Sequence, residues 1–408
     1  MFETFERPKV FRDPLYGYIE VRHRLILELI DSKEVQRLRR IRQLSGVSMV
    51  FHTAEHSRFT HALGAYHMAY LVLKNVEGIE VLDSWQQMVF LAAALLHDIG
   101  HGPYSHAFEH VLKTSHEQMT IRLLLSELTD VHRILSRYPM LVEDIASVIA
   151  HQGKYPLIES LVSSQLDVDR MDYLSRDAYF TGATYGTIDM HRLLRSMKVV
   201  NGQLLIRASG VHTVESYLMS RYHMYFQVYY HPAARAYELL LESIYQRICD
   251  LSVSQKMDDS ITSFLNVIHD PNDVASYIEL DDAYVNGFIK RMVKSSDPVL
   301  NQLANAFENR RLFRFIDLAN NPDPLLLEEL KKKYGGSCSA SYFYYETAVS
   351  AVAYLETKQP EKDINTIKIL LPNGQIKTLN EYSPIMSGLV STSYKKIERI
   401  YYFEDADV

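Results

Sequence analysis

Two cysteines, Cys249 and Cys338, are all that the 408 residues contain, and neither sits in CxxC spacing. A disulfide framework or a thiolate zinc site is therefore excluded, which suits a reducing cytoplasm. Long apolar runs are missing too. The longest, MVFLAAALL, stops at His97-Asp98, well short of the roughly 20 residues a membrane helix needs. The first residues, MFETFERPKV, lack the apolar stretch of a signal peptide. Glycine and proline are sparse, and no low-complexity segment appears. An excess of positive charge is also absent: the net charge is −7, which argues against coating nucleic acid but leaves room for a local basic pocket. A cytoplasmic protein with no membrane partner and no nucleic-acid partner is expected.

What is present is helical periodicity. In KEVQRLRRIRQL (33–44), Val35, Leu38, Ile41 and Leu44 recur at helical spacing. Helices are also predicted over 60–76, 85–98, 115–129, 141–151, 157–179, 212–250, 283–294, 298–307 and 323–333. The 85–98 stretch is apolar on nearly every face, as a buried helix is. Two segments break the pattern. VVNGQLLIRA (199–208) reads as a hairpin turning at Asn201-Gly202, and KILLPNGQIKTL (368–379) as one turning at Pro372-Asn373-Gly374. The fold class is mostly α: an all-helical core over 1–334, with its central motifs at 50–180, then a small α+β C-terminal lobe over 335–408 after the Gly335-Gly336 break.

The chemistry concentrates in LLHDIGHGPYSH (95–106). His97 and Asp98 end a buried helix, where an ionisable pair is costly unless a charge compensates it. His101 lies four residues beyond His97, on the same helical face. Gly102-Pro103 then interrupts the helix and re-aims His106. Two more ligands are available: His61 in SRFTHALG and Asp169 in LDVDRMDYLSRD. The mixed shell His61, His97, Asp98 and Asp169 suits Mn²⁺, Fe²⁺, Zn²⁺, Ni²⁺ or Mg²⁺ without choosing among them.

These motifs carry a resemblance. KVFRDPLYGYIEV (9–21), IDSKEVQRLRRIRQL (30–44), SRFTHALG, HDIGHGPYSH, SHEQ (115–118), LDVDRMDYLSRD, SRYHMYFQVYYHP (220–232) and SDPVLNQLANAFENRRLFRF (296–315) occur in order. The chain they span resembles the HD-domain deoxynucleoside triphosphate (dNTP) triphosphohydrolases. It resembles the mammalian enzyme that joins a SAM domain to the HD domain, and its shorter bacterial relatives. Without a SAM domain before the core, it looks like the short form. The resemblance implies the same four metal ligands. It places His101, His106, His116 and Glu117 in catalysis or phosphate contact, and Arg58, Arg170 and Arg221 near the triphosphate, Arg170 standing where a relative has lysine. Gln43 and Asp177 correspond to residues that hold the sugar 3′-hydroxyl, and Leu44, Tyr173 and Tyr229 to the walls around the sugar. His110, His151, His223 and His231 are read as structural.

The reaction so implied releases a deoxynucleoside and inorganic triphosphate, with Mg²⁺ accompanying the bound nucleotide. His106 is the expected general acid, and Tyr229 the expected gate against ribonucleotides. Base selectivity is expected to be weak. The resemblance also implies a homotetramer activated by a guanine nucleotide, dGTP or GTP, read by Asp31, Gln36 and Arg39 with Lys9 on its triphosphate. Asp189, Arg192 and Arg207 resemble part of an adjoining second site, where Pro232 stands in place of a lysine. Two other functions remain open: an HD hydrolase acting on a monophosphate, a cyclic nucleotide or guanosine tetraphosphate, and a nucleotide sensor of little turnover.

Overall fold

The computed structural model describes residues 2–254, 261–335, 341–351, 366–391 and 395–404. Its centre is the Arg58–Asn75 helix, which packs against Ser84–Leu96 on one side and Val168–Thr181 on the other. Ser84–Leu96 opens with a capping box, Asp83 accepting from the Gln86 amide while Gln86 reaches back, which satisfies two otherwise orphaned amides. From Met88 onward every side chain of this helix is buried. Its apolar composition thus delivers His97 and Asp98 to the middle of the protein.

The helix expected over 33–44 stops early. Lys33–Arg37 is α-helical and Leu38–Arg40 is a 3-10 turn, after which Ile41 is extended. The cause is long-range pairing. Gln43 N donates to His56 O at 3.0 Å and Arg58 N to Ile41 O at 2.9 Å, so strand-like bonds to the segment before the central helix replace helical ones. The 157–179 stretch is likewise two helices, Pro156–Val162 and Val168–Thr181, the second capped by Asp167. The 212–250 stretch also divides. Val211–Met224 runs into a π turn at Tyr225–Tyr229, and a new helix, Pro232–Ser254, starts at the proline.

Among the described residues, nine strands form three small sheets. β1 (Thr4–Asp13) and β2 (Gly17–His23) make an N-terminal hairpin that periodicity did not reveal. The two expected hairpins are present: β3 (Met197–Val200) with β4 (Gln203–Arg207), and β7 (Lys368–Leu370) with β8 (Ile376–Thr378). Asn201 and Gly202 both take positive φ, 51° and 72°, which matches the Asn-Gly turn signal. The hairpins also join. β4 pairs in parallel with β7, giving the order β3-β4-β7-β8. β5 (Arg314–Asp317) and β6 (Tyr344–Ala351) flank β9 (Lys395–Tyr402). Both of these sheets therefore cross residue 335, where the sequence pattern breaks.

Candidate active site

His61, one turn into the Arg58–Asn75 helix, is fully buried. Its Nδ1 donates to Asp172 Oδ2 at 2.9 Å, and His97 Nδ1 donates to Ala94 O at 2.9 Å. Each ring therefore turns an Nε2 lone pair inward, the tautomer a ligating histidine needs. The two Nε2 atoms lie 3.4 Å apart. Asp169 Oδ1 is 3.1 Å from His61 Nε2 and 3.5 Å from His97 Nε2. Asp98 approaches the same atoms at 3.7 and 3.4 Å. Lone pairs converging in this way repel one another unless protons or a cation lie among them, so the donor set fits a divalent metal. His61 registers the same demand for positive charge. Burial opposes its protonation, yet the hydrogen bonds to Asp169 and Asp172 raise its pKa to about 10.

Behind His61 stands a buried network that motif reading missed. Arg176 donates through Nε and Nη2 to both Asp172 oxygens at 2.9 Å, and through Nη1 to Asp13 at 2.9 Å. Tyr16 OH donates to Asp172 Oδ1 at 2.8 Å. Gly64 makes room for it: a Cβ there would lie 1.8 Å from Asp172 Oδ1. The one available signal was spacing, since Asp169, Asp172 and Arg176 recur at i, i+3 and i+7 along one helix face.

A second cluster adjoins the first. His101 and His116 stack with ring centroids 3.8 Å apart. Glu109 bridges them, its Oε1 lying 3.2 Å from His101 Nδ1 and 3.0 Å from His116 Nδ1. Sequence reasoning missed Glu109. Burial, reinforced by the Arg58 guanidinium, pushes the His101 pKa down to about 4. Burial opposes protonation of His116 too, but Glu109 and Asp98 overcome it and raise its pKa. The stack thus pairs a neutral imidazole with one inclined to carry a proton. Thr120 anchors the turn between helices, accepting from Gly100 N and donating to His97 O, both at 2.9 Å. A Cβ on Gly100 would sit 2.2 Å from the Thr120 amide. Arg58 is buried beside both clusters, with Nη1 on Asp98 Oδ2 at 2.6 Å and Nε on Ser105 Oγ at 3.0 Å.

A cavity of about 480 Å³ opens from these clusters. Among the residues expected at the site, Gln43, Leu44, Arg58, Asp98, His101, His116, Asp169, Tyr173, Asp177 and Tyr229 line it. Asp177 accepts from His56 Nε2 at 2.8 Å and from Tyr229 OH at 2.7 Å. The Tyr173 and Tyr229 rings meet edge-on at 6.2 Å. Tyr229 ends the π turn, a helix irregularity frequent at functional sites. The far wall was not foreseen: Thr347, Ile397, Arg399 and Tyr401 come from β6 and β9.

Other expected residues lie elsewhere. Arg170 turns away to Asp167 and Ser164, and Arg221 donates to Gln165 at 2.6 Å. Neither is among the residues lining the cavity. Glu117 is largely exposed, 3.9 Å from His116. His106 begins the His106–Leu112 helix, and its side chain falls outside the described residues. Asp31, Gln36 and Arg39 cluster around the Lys33–Arg37 helix. There Arg39 Nε donates to Gln36 at 2.8 Å, and Gln36 donates to Ile30 O at 2.8 Å. Lys9 is exposed on β1. Asp189 caps the helix bearing Arg192, and Arg207 pairs with Glu77. Pro232 is the first residue of its helix. None of these eight lines the cavity. Among the described residues, no helix is long and apolar enough to cross a membrane.

Comparison with known proteins agrees with this geometry. The HD domain model matches residues 58–177, and the HD associated region matches 188–263. The chain is 38% identical to the uncharacterized protein YwfO of Bacillus subtilis, over 97% of this chain and 92% of the relative. It is 28% identical to the deoxynucleoside triphosphate triphosphohydrolase SAMHD1 homolog of Dictyostelium discoideum, over 78% of this chain but only 61% of that protein. A phosphohydrolase crystal structure from Bacteroides thetaiotaomicron superposes with a TM-score of 0.82 at 28% identity, covering 97% of this chain and all of that one. Shared sequence over nearly the whole length, a shared fold and a His-Asp pair at the hub of converging ligands lead to one assignment: the chain belongs to the HD-domain phosphohydrolases and is related to their deoxynucleoside triphosphate triphosphohydrolase members.

Proposed function

We propose that the protein hydrolyses dNTPs to a deoxynucleoside and inorganic triphosphate. The observation that carries this reading is the continuity of the cavity. It runs from the metal-binding cluster to a wall of Tyr173, Tyr229, Leu44 and Gln43, so one compartment offers both a phosphate end and a sugar-sized end. Among the described residues, the buried Gln43 Oε1 has no hydrogen-bond partner. Such an acceptor is costly unless something binds it, and a sugar 3′-hydroxyl is a fitting donor.

In this reading His61, His97, Asp98 and Asp169 hold a divalent cation, which when bound polarises a phosphoryl oxygen and lowers the pKa of water. Arg58 places fixed charge beside the α-phosphate. His101, neutral and stacked on His116, orients phosphate or water, and Glu109 keeps a proton on His116. Water attacks the α-phosphorus as the 5′-oxygen departs. That oxygen needs a proton, which we assign to His106. Arg170 and Arg221 support the triphosphate from behind Tyr173, whose surroundings include both guanidinium charges. Tyr229, held by Asp177, closes the space at C2′ against a ribose hydroxyl. Asp31, Gln36 and Arg39 form a guanine-reading patch, since carboxylate and guanidinium complement that base. With Lys9, Asp189, Arg192 and Arg207 they take the activating nucleotide between subunits of a tetramer. Glu117 serves as a peripheral carboxylate on the His116 helix.

The test is direct. Purified protein is incubated with each dNTP, with and without dGTP, in Mn²⁺ or Mg²⁺, and the products are resolved. Deoxynucleoside plus triphosphate supports the reading. Diphosphate or pyrophosphate, or no product under any metal, refutes it.

A further inference from the structure

The two loops that wall the cavity meet on a single carboxylate outside it. Asp282 opens the Asp282–Met292 helix and is 5% exposed. Its Oδ2 accepts from the Arg42 amide at 2.9 Å, next to Gln43 and Leu44. Its Oδ1 accepts from the Tyr104 amide at 2.9 Å, next to Ser105 and His106. Asp282 is not among the residues that line the cavity.

At that point neither segment is helical: Arg42 sits in a strand-like bridge to Ser57 and Tyr104 in a turn. Tyr104 and Ser105 both take positive φ, 55° and 45°, a conformation that side-chain-bearing residues avoid and that the surroundings must enforce. Arg42 lies just past the 3-10 turn, where helical bonding has ended. From the cavity side, Arg58 joins the same two segments. Its backbone amide bonds Ile41 O at 2.9 Å, and its guanidinium Nη2 bonds Ser105 Oγ at 2.8 Å. Asp282 closes this loop of contacts from behind.

The surrounding stretch acts on the same turn. Tyr277 OH donates to Gly100 O at 2.6 Å. The fully buried Arg37 donates to Leu280 O at 2.7 Å and to Ile99 O at 3.3 Å. Tyr104 OH donates to Asn286 Oδ1 at 2.6 Å. Residues 277–286 thus form a brace along the back of the metal-bearing turn.

We infer that Asp282 is a positioning residue for hydrolysis: its two oxygens set the spacing between the Gln43–Leu44 wall and the Tyr104–Ser105 corner that leads to His106. The inference rests on the reading of this cavity as the dNTP site. Only a carboxylate serves both amides at once. Asparagine keeps the shape but offers one oxygen, and its NH₂ group would face the second N–H donor. The spacing would then relax on one side. Misplacement of catalytic groups by about 1 Å is enough to lower rate on the order of 100-fold.

The test compares Asp282→Asn with Tyr104→Phe, which removes a buried hydrogen bond to the same helix but leaves both amide tethers. Asp282→Asn is expected to lower kcat/KM about 100-fold, kcat falling and KM rising together because both walls are displaced. Its bound metal should stay at the wild-type level. Tyr104→Phe keeps both tethers and gives up one contact of the brace, so its loss is expected to be at least about tenfold smaller. Hydrogen–deuterium exchange reads the clamp independently of turnover: amides in peptides spanning 42 and 104 should exchange faster in Asp282→Asn. Wild-type kinetics in Asp282→Asn, or equal losses in both variants, would overturn the inference, as would unchanged exchange at those amides. Absence of dNTP hydrolysis by the wild-type protein would instead sink the functional reading, leaving exchange to judge the clamp.

Discussion

Replacing Gly64 by alanine tests whether the network behind the metal site matters as much as the ligands. The added Cβ would lie 1.8 Å from Asp172 Oδ1, 2.4 Å from its Cγ and 2.5 Å from Arg176 Nη2. Ordinary contact needs about 3.5 Å, so the carboxylate must move by more than an ångström. Helix backbone and ion pair cannot both stay in place. Asp172 accepts from His61, Tyr16 and two Arg176 nitrogens, all at 2.8–2.9 Å. Hydrogen bonds to charged groups contribute about 1.5–3 kcal/mol each. Losing or stretching two of them, less the roughly 1 kcal/mol that alanine gains over glycine in a helix, leaves a net destabilisation of about 3 kcal/mol. Freed from Asp172, the His61 ring loses its fixed tautomer. Losses of this kind lower metal affinity about 10- to 100-fold. Urea unfolding and Mn²⁺ titration of dialysed protein measure the two effects. Wild-type values for both in Gly64→Ala would refute the reasoning, because the clash would then have been absorbed without moving Asp172.

Three further outcomes follow from the same geometry. Glu109→Gln should retain bound metal while dNTP hydrolysis falls about 100-fold or more, read by metal analysis beside product release; full activity would show that the proton Glu109 holds on His116 is not needed. His106→Ala should abolish hydrolysis with metal content unchanged, and an active variant would move the acid role elsewhere. Burial raises the Asp282 pKa from its ordinary 3.8 to about 6 against the two amides that bond it. Folding therefore favours the protonated acid, so stability falls by about 3 kcal/mol as pH rises from about 4 through 6, at 1.36 kcal/mol per unit; the ionised carboxylate that bonds both amides is the form present above that range. The stability difference between wild type and Asp282→Asn, from urea unfolding across pH 4–8, should shrink accordingly; a difference independent of pH would contradict this.

Much of the centre was legible because it is local. The apolar run before His97-Asp98, the His-Asp-x-Gly-His spacing and the Asn-Gly turn each express their geometry within a few residues. What escaped is what depends on distant partners. Nothing in KEVQRLRRIRQL announces that Ile41 and Gln43 will bond to the 56–58 segment, so helical periodicity ran past the true end. Glu109 looks like any helix-face carboxylate until His101 and His116 close on it. Asp172 was hidden as one of four acids in one motif; its role depends on Gly64 leaving space in another helix. The cavity wall from β6 and β9 was invisible for the same reason, since strand pattern reports a sheet but not what the sheet faces.

That wall has a temporal consequence. Ile397, Arg399 and Tyr401 face the same cavity as Arg58 and Asp169, yet the ribosome adds them long after the helices that gather the ligands. The residues from His61 to Asp169 are thus all on the nascent chain before the cavity's last wall is synthesised. The cavity gains its last wall only when the strand from Lys395 to Tyr402 takes its place between its two neighbours.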